Sequence, residues 1–153
     1  MPHMQEVVED YLTSEQSRSF IIPECLIKLD DGKALPGRHW YCDVAAVDLR
    51  TQFVFLCEVT TARSPTALHN RLRAWAENWD GVRAALLRDY GIPPKWGVVP
   101  QVFVRDECGP EILSRANAAI AASGSAMPEP IIMSLRRVAQ WRLDSLDSLP
   151  DEP

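Results

Sequence analysis

Two acidic residues lie in neighbouring segments that are otherwise apolar. Asp43 precedes Val-Ala-Ala-Val, and Glu58 follows Phe-Val-Phe-Leu-Cys. Both segments, 39–48 and 52–60, are rich in the β-branched and aromatic residues typical of strands. Only residues 49–51 separate them, and a linker this short predicts an antiparallel hairpin.

The register of that hairpin decides whether the two acids meet. If the turn centres on Arg50 and Thr51, opposed residues have numbers that add to 101, and Asp43 faces Glu58. Opposed side chains project to one face, with Cβ atoms about 5 Å apart. Two carboxylates at that distance repel each other unless a cation lies between them, and Mg²⁺ binds through one or two carboxylates. The alternative is that Asp43 marks a strand end and Glu58 lies on the surface, because a one-residue shift breaks the pairing.

Other elements surround the hairpin. A short helix is predicted over 6–12, and a first strand over 20–29, where Pro23 indicates an edge position or an irregular start. After the hairpin, Ser64-Pro65 predicts the N-cap and first position of one long helix that runs to Tyr90. Its apolar residues recur every three or four positions, at Leu68, Leu72, Trp75, Trp79, Val82 and Leu86.

The second half of the chain continues the alternation. A strand is predicted over 96–105, a helix from 109 to about 124, a short strand over 130–135 and a helical turn over 138–146. The order αβββαβαβ predicts an α/β fold, with a mixed β-sheet flanked by helices. We expect a single domain over 1–143 and an acidic, flexible tail over 144–153.

Composition narrows the class of protein. The net charge is -5, which excludes a uniformly basic nucleic-acid-binding surface but allows a local basic face. No apolar run reaches the length of a membrane span and no secretory signal is recognisable, so we expect a cytoplasmic protein that does not bind membranes. The 4 cysteines are scattered rather than clustered as in zinc sites, which predicts buried free thiols.

The predicted helix, three strands and long helix resemble the core of the PD-(D/E)XK, or restriction-endonuclease-like, nuclease superfamily. In that family an Asp on the second strand and an Asp or Glu on the third bind a divalent metal, and the matching positions are Asp43 and Glu58. The resemblance implies that Mg²⁺ or Mn²⁺ is held by these two carboxylates and the backbone carbonyl of Val59. A further acid on the first helix, Glu6 or Glu9, would be an outer ligand.

One position departs from the family pattern. The lysine that follows the second acid by two residues is replaced by Thr60, which has a hydrogen-bonding hydroxyl but no charge. Either another cation, with Lys28 and Arg63 as candidates, takes the place of the lysine, or the site has lost catalysis. The sequence leaves both alternatives open.

Several residues near the long helix have a functional and a structural interpretation. Arg63, Arg71 and Arg73 would hold the phosphate backbone of DNA, since guanidinium groups pair well with phosphate, or would form a solvated face. His69 could be a general base, although a packed or solvent-facing histidine is the simpler interpretation. Five tryptophans could stack on bases, namely Trp40, Trp75, Trp79, Trp96 and Trp141, but at helical spacing Trp75 and Trp79 fit a core.

The sequence thus predicts a divalent-metal-dependent nuclease that hydrolyses DNA phosphodiesters. The alternative is a catalytically degenerate module that keeps the nuclease fold for nucleic-acid binding or protein assembly. Thr60 and the acidic net charge favour this alternative. A third expectation is a homodimer formed through the long helix and its two tryptophans.

Overall fold

A five-stranded open sheet organises the described part of the chain. The computed structural model describes residues 3–147, without the side chains of residues 146 and 147. The strands are β1 (Phe20–Lys28), β2 (His39–Asp48), β3 (Phe53–Val59), β4 (Gly97–Val104) and β5 (Ile131–Ser134), in spatial order β1-β2-β3-β4-β5. The first three are antiparallel neighbours, whereas β3, β4 and β5 are parallel. The expected mixed sheet is confirmed, as is the edge position of the strand that contains Pro23.

Five helices cover the two faces of the sheet. They are α1 (Met4–Thr13), α2 (Thr66–Glu77), α3 (Trp79–Tyr90), α4 (Gly109–Ser123) and α5 (Leu135–Asp147). Helices α2, α3 and α4 bury one apolar cluster against the sheet, and α1 and α5 bury a second cluster on the opposite face. Each fully buried large apolar side chain, such as Leu56 or Phe103, contributes roughly 2 kcal/mol to folding. The α/β class predicted from the sequence is confirmed.

The hairpin register predicted from the sequence is confirmed. Five pairs run from Val44–Cys57 to Asp48–Phe53, and their residue numbers add to 101 throughout. The turn is one residue longer than predicted, because Gln52 has φ 58° and lies outside the strand. This longer turn leaves the facing of Asp43 and Glu58 unchanged.

The prediction of one long helix is wrong, because the helix is interrupted at Asn78. This residue has φ -126° and ψ 26°, outside the helical region. Its side-chain amide donates to the carbonyl of Ala74 at 2.8 Å, and its backbone N–H donates to Trp75. The side chain thus takes the place of a backbone donor, as short polar side chains do. The predicted N-cap is also displaced, since α2 begins at Thr66 with Pro65 at the cap position.

The end of the chain contains more helix than predicted. The predicted strand 130–135 is shorter, and α5 follows β5 without a loop, forming a helix of 13 residues rather than one turn. Residues 144–147, assigned to the flexible tail, form the last turn of this helix. The remainder of the predicted tail, 148–153, lies outside the described residues. The observed order is therefore αβββααβαβα rather than αβββαβαβ.

Predictions about the core can be compared with burial. The four cysteines, Cys25, Cys42, Cys57 and Cys108, are buried free thiols, as expected. Trp75 is 0% exposed and Trp79 is 3% exposed, so both belong to the core rather than to a surface. The tryptophans therefore cannot form the predicted dimer surface, while dimerisation itself stays a prediction. No helix within residues 3–147 is long and apolar enough to cross a membrane.

Candidate functional site

Asp43 and Glu58 meet where the regular ladder of the hairpin ends. Beyond the Val44–Cys57 pair, carboxylates replace backbone carbonyls as acceptors. The backbone N–H of Asp43 donates to Glu58 Oε2 at 2.8 Å, and the N–H of Val59 donates to Asp43 Oδ2 at 2.8 Å. Each carboxylate therefore receives one amide hydrogen from the strand opposite, and this crosswise pair of bonds holds the two carboxylates side by side.

Strand β1 is distorted opposite Asp43. Glu24 has φ 51°, which an L residue rarely adopts within a strand, and it lies opposite Asp43 between two regular pairs. Ile22 and Cys25 are three residues apart yet pack into the same cluster, so the inside–outside alternation shifts by one residue here. The distortion interrupts the β1–β2 ladder beside the two acids.

Arg71 is the cation of this site. From α2 its Nη1 forms an ion pair with Glu58 Oε1 and donates to the carbonyl of Tyr41 at 3.1 Å. Its guanidinium carbon also lies 6.0 Å from the ring centre of Trp75, one helical turn further on. Because Trp75 is buried in the core, its packing fixes the face of α2 that presents Arg71 to the carboxylates.

The surroundings of Asp43 and Glu58 disfavour the ionised form of both carboxyl groups. Burial, together with the nearby charge of Asp43, raises the pKa of Glu58 from its ordinary value to about 7, although Arg71 opposes the shift. Burial likewise raises the pKa of Asp43, despite the amide hydrogen bond from Val59. One guanidinium is thus insufficient to neutralise the buried carboxylate of Glu58, the half-buried carboxylate of Asp43 and Glu24 nearby. Such a site favours an additional cation or a retained proton.

The polar residues that join the site from α1 and β1 differ from those predicted. Gln5, not Glu6 or Glu9, reaches the hairpin from α1: its Nε2 lies 3.2 Å from the carbonyl oxygen of Asp43 and 3.3 Å from Glu24 Oε1. Glu6 is exposed and Glu9 half-buried, and neither side chain bonds to Asp43 or Glu58. The α1 side chain that bonds to the hairpin is therefore an amide, and an outer-ligand role of Glu6 or Glu9 stays a prediction.

Gln5 and Glu24 were missed by sequence reasoning. The strand pairing of β1 with β2 depends on the long loop 29–38, whose length sets no register. No signal in the sequence therefore places Glu24 opposite Asp43.

The candidate replacements for the missing lysine lie away from the pair. Lys28 is at the far end of β1, paired with His39, about 13 Å along the strand from Glu24. Arg63 is exposed, and its carbonyl accepts from the thiol of Cys108. Thr60 uses its hydroxyl to accept the N–H of Ala62 at 3.1 Å, which shapes the turn after β3. The structure therefore brings Arg71, rather than Lys28 or Arg63, to the carboxylates.

The remaining residues of α2 are placed apart from the acids. Arg73 is exposed and donates to Asn70. His69 Nδ1 is buried without a hydrogen-bond partner among the described residues, and burial together with Arg115 lowers its pKa. Since Arg115 belongs to α4, His69 faces that helix, where a packed histidine is the simpler interpretation.

The donor atoms of the pair suit a hard cation. Mg²⁺ and Mn²⁺ prefer carboxylate and carbonyl oxygens, completed by water. Asp43 Oδ1 is not engaged by the described hydrogen bonds, whereas Glu58 Oε1 is shared with Arg71. Residues 3–147 contain no group of three or more His, Cys, Asp or Glu side chains able to hold a metal ion. A metal here would therefore rely on two carboxylates, a backbone carbonyl and water, and would compete with Arg71 for Glu58.

Comparisons with known proteins add no assignment to this geometry. No protein-family model, no curated protein and no solved structure matches the chain.

Proposed function

We propose that the protein is a divalent-metal-dependent nuclease with a restriction-endonuclease-like core, which hydrolyses phosphodiester bonds of DNA. The observation that carries the proposal is the crosswise pair of buried Glu58 and half-buried Asp43, which lies at a strand distortion with a guanidinium beside it. The element order from α1 to α2 supports it, since this order is the one that the resemblance implies.

In this proposal each side chain of the site has a defined part. Asp43 and Glu58, with the carbonyl of Val59, would hold Mg²⁺ or Mn²⁺. When bound, such an ion supplies polarisation of the phosphate and activation of water. Arg71 forms an ion pair with Glu58 in the free protein, and in the complex its planar fork would pair with phosphate oxygens. It would thus supply the positive charge that Thr60 lacks.

The second candidate is a nuclease-fold module without catalysis, which serves in nucleic-acid binding or protein assembly. The ion pair between Arg71 and Glu58 favours it specifically, because a guanidinium already occupies the oxygen that a metal would use. The role of the Thr60 hydroxyl in the turn also fits a site that has lost its chemistry.

Cleavage assays with matched variants separate the two candidates. Supercoiled plasmid and single-stranded DNA are incubated with Mg²⁺ or Mn²⁺ and the wild type, Asp43→Asn, Glu58→Gln or Asp48→Asn. Asp48 is an equally buried acid at the other end of the same hairpin, where its carboxylate accepts the turn N–H of Arg50, so its variant is the control. We expect cleavage by the wild type and the control, and a loss of at least 100-fold with either site variant, about 3 kcal/mol of transition-state stabilisation.

Two outcomes would argue against the assignment as a nuclease. Cleavage that persists in Asp43→Asn and Glu58→Gln would mean that these carboxylates are not the catalytic groups. DNA binding without cleavage in any metal would favour the non-catalytic module.

A further inference from the structure

A cavity of about 520 Å³ opens at the carboxyl ends of β4 and β5, beside the first turns of α5. Its volume lies within the roughly 300–1,000 Å³ that is usual for small-molecule sites. The carboxylate pair of the hairpin is not part of its lining, so the cavity is a feature separate from the candidate metal site. Its polar and aromatic lining includes Arg105, Arg136, Arg137, Tyr11 and Trp141.

The charges of the cavity do not cancel. Arg136 pairs with Asp106 at 2.8 Å, and Arg105 pairs with Glu107 at 2.9 Å. The side chain of Arg137 forms no hydrogen bond or ion pair with the described residues, whereas its backbone N–H donates to Ser134 Oγ. Its guanidinium is therefore available for an anion, and a planar guanidinium matches phosphate in particular.

Two aromatic side chains, Trp141 and Tyr11, line the cavity together with this guanidinium. The rings of Trp141 and Tyr11 are 5.3 Å apart at 82°, an edge-to-face contact that fixes the orientation of the indole. Trp141 and Arg137 also line an adjoining cavity of about 420 Å³, so both are accessible from two sides. A free guanidinium beside an ordered aromatic ring suits a ligand that combines a phosphate with a planar base.

A third group fits the edge of such a base. Gln16 lines both cavities, and its side-chain amide forms no hydrogen bond with the rest of the described chain. A glutamine amide offers a donor and an acceptor in one plane, which is the pattern of a nucleobase edge. This amide distinguishes a nucleotide from a smaller phosphorylated ring, such as phosphotyrosine, which has no such edge.

We propose that this cavity binds one nucleotide unit, with its terminal phosphate on Arg137, its base against Trp141 and the base edge on Gln16. The nucleotide is either a free mononucleotide or the 5′-phosphorylated end of a nucleic-acid strand, because both present the same chemistry. The site requires neither a metal ion nor phosphodiester hydrolysis.

Calorimetry in EDTA tests the site independently of cleavage. The full chain is titrated with dAMP, deoxyadenosine, inorganic phosphate and phosphotyrosine, and with an oligonucleotide carrying a 5′-phosphate or a 5′-hydroxyl. Saturable binding of dAMP identifies a free nucleotide as the ligand. Binding of the 5′-phosphorylated oligonucleotide without binding of dAMP identifies the strand end.

Variants identify the cavity as the place of binding. Arg137→Gln keeps a polar group that can donate hydrogen bonds but removes the positive charge, and we expect binding of the ligand to weaken roughly tenfold or more. Gln16→Ala is expected to weaken binding of the nucleotide and to leave binding of inorganic phosphate unchanged. Arg115→Gln is the control, because Arg115 is exposed on α4 and pairs with Glu111 away from the cavity.

Four results would overturn the proposal. The first is that no probe binds at millimolar concentration, and the second is that Arg137→Gln and Arg115→Gln weaken binding equally. The third is that deoxyadenosine or the 5′-hydroxyl oligonucleotide binds as tightly as its phosphorylated form. The fourth is that phosphate or phosphotyrosine binds as tightly as dAMP. A protein that cleaves no DNA can still bind dAMP here, so failure of the nuclease assignment is distinguishable from failure of this one.

Discussion

The two ends of the β2–β3 hairpin each hold a buried acid, and their environments are opposite. Asp48 and Glu58 are both 7% exposed. Asp48 accepts the N–H groups of Arg50 and Thr51 and pairs with the guanidinium of Arg50. Burial tends to raise its pKa, but these hydrogen bonds outweigh burial and lower it. Glu58 receives one amide hydrogen, faces Asp43, and has a pKa raised to about 7.

The difference separates a structural acid from a functional candidate. The partners of Asp48 are two and three residues away, so the turn that needs the carboxylate also stabilises it. The partners of Glu58 are 13 and 15 residues away, and a second carboxylate lies beside it. In active sites, groups from distant elements are often brought together so that the ionised form of an acid is destabilised and its pKa is shifted.

The largest expected effect concerns Glu58 and pH. In EDTA the folded protein binds a proton at Glu58 that the unfolded chain releases near its ordinary pKa of 4.5. Because the folded state holds more protons in this window, the free energy of unfolding falls as pH rises from about 4.5 to about 7, by about 3 kcal/mol. Urea unfolding across this window should show the fall in the wild type and in Asp48→Asn, and lose it in Glu58→Gln. An equal fall in Glu58→Gln would place the titrating group elsewhere.

A smaller effect is expected from the cation of the pair. Arg71→Met leaves the two carboxylates without their guanidinium and should destabilise the protein at pH 8 by about 2 kcal/mol, somewhat less than for a fully buried pair because Arg71 is 27% exposed. Adding Glu58→Gln to Arg71→Met should recover much of the loss. The matched control is Arg73→Met, two residues along the same helix and exposed, which should change stability by less than about 0.5 kcal/mol. Equal effects of the two arginine variants in thermal unfolding would contradict the assignment.

The smallest effect is expected from Asp48, with the opposite dependence on pH. A carboxylate whose folded pKa is lowered stabilises the protein above its ordinary value of 3.8, and this stability is lost as pH falls through the folded pKa. Asp48→Asn should therefore cost about 0.5–1 kcal/mol at pH 7 and less at pH 3, which is below the ordinary value. Urea midpoints for wild type and variant that differ equally at both pH values would contradict a role for the charge.

The part of the site that follows from short-range rules was predictable. A short linker favours a turn centred on Arg50 and Thr51, and the register that this turn sets is why the facing of Asp43 and Glu58 could be inferred. The placement of residues that are distant in sequence could not be predicted in this way. Arg71 was predicted to be either a phosphate ligand or part of a solvated face, and its ion pair was not foreseen because it depends on how Trp75 packs against the sheet.

The break in the long helix escaped prediction for a similar reason. Helices α2 and α3 bury the same face, so the apolar spacing continues from Trp75 to Trp79 across the interruption. Only the hydrogen bond from Asn78 to Ala74 marks the boundary, and it depends on a side-chain conformation. Periodicity reports which face is buried and is insensitive to a local change in backbone direction.

Calorimetric titration with Mn²⁺ at pH 8 tests the central claim most directly, namely that Asp43 and Glu58 together hold a divalent ion. Wild type, Asp48→Asn and the double variant Asp43→Asn/Glu58→Gln are compared under the same conditions. We predict one ion per chain in the wild type and in Asp48→Asn, and no binding in the double variant. Binding that the double variant retains, or that the wild type lacks at millimolar Mn²⁺, would contradict the account.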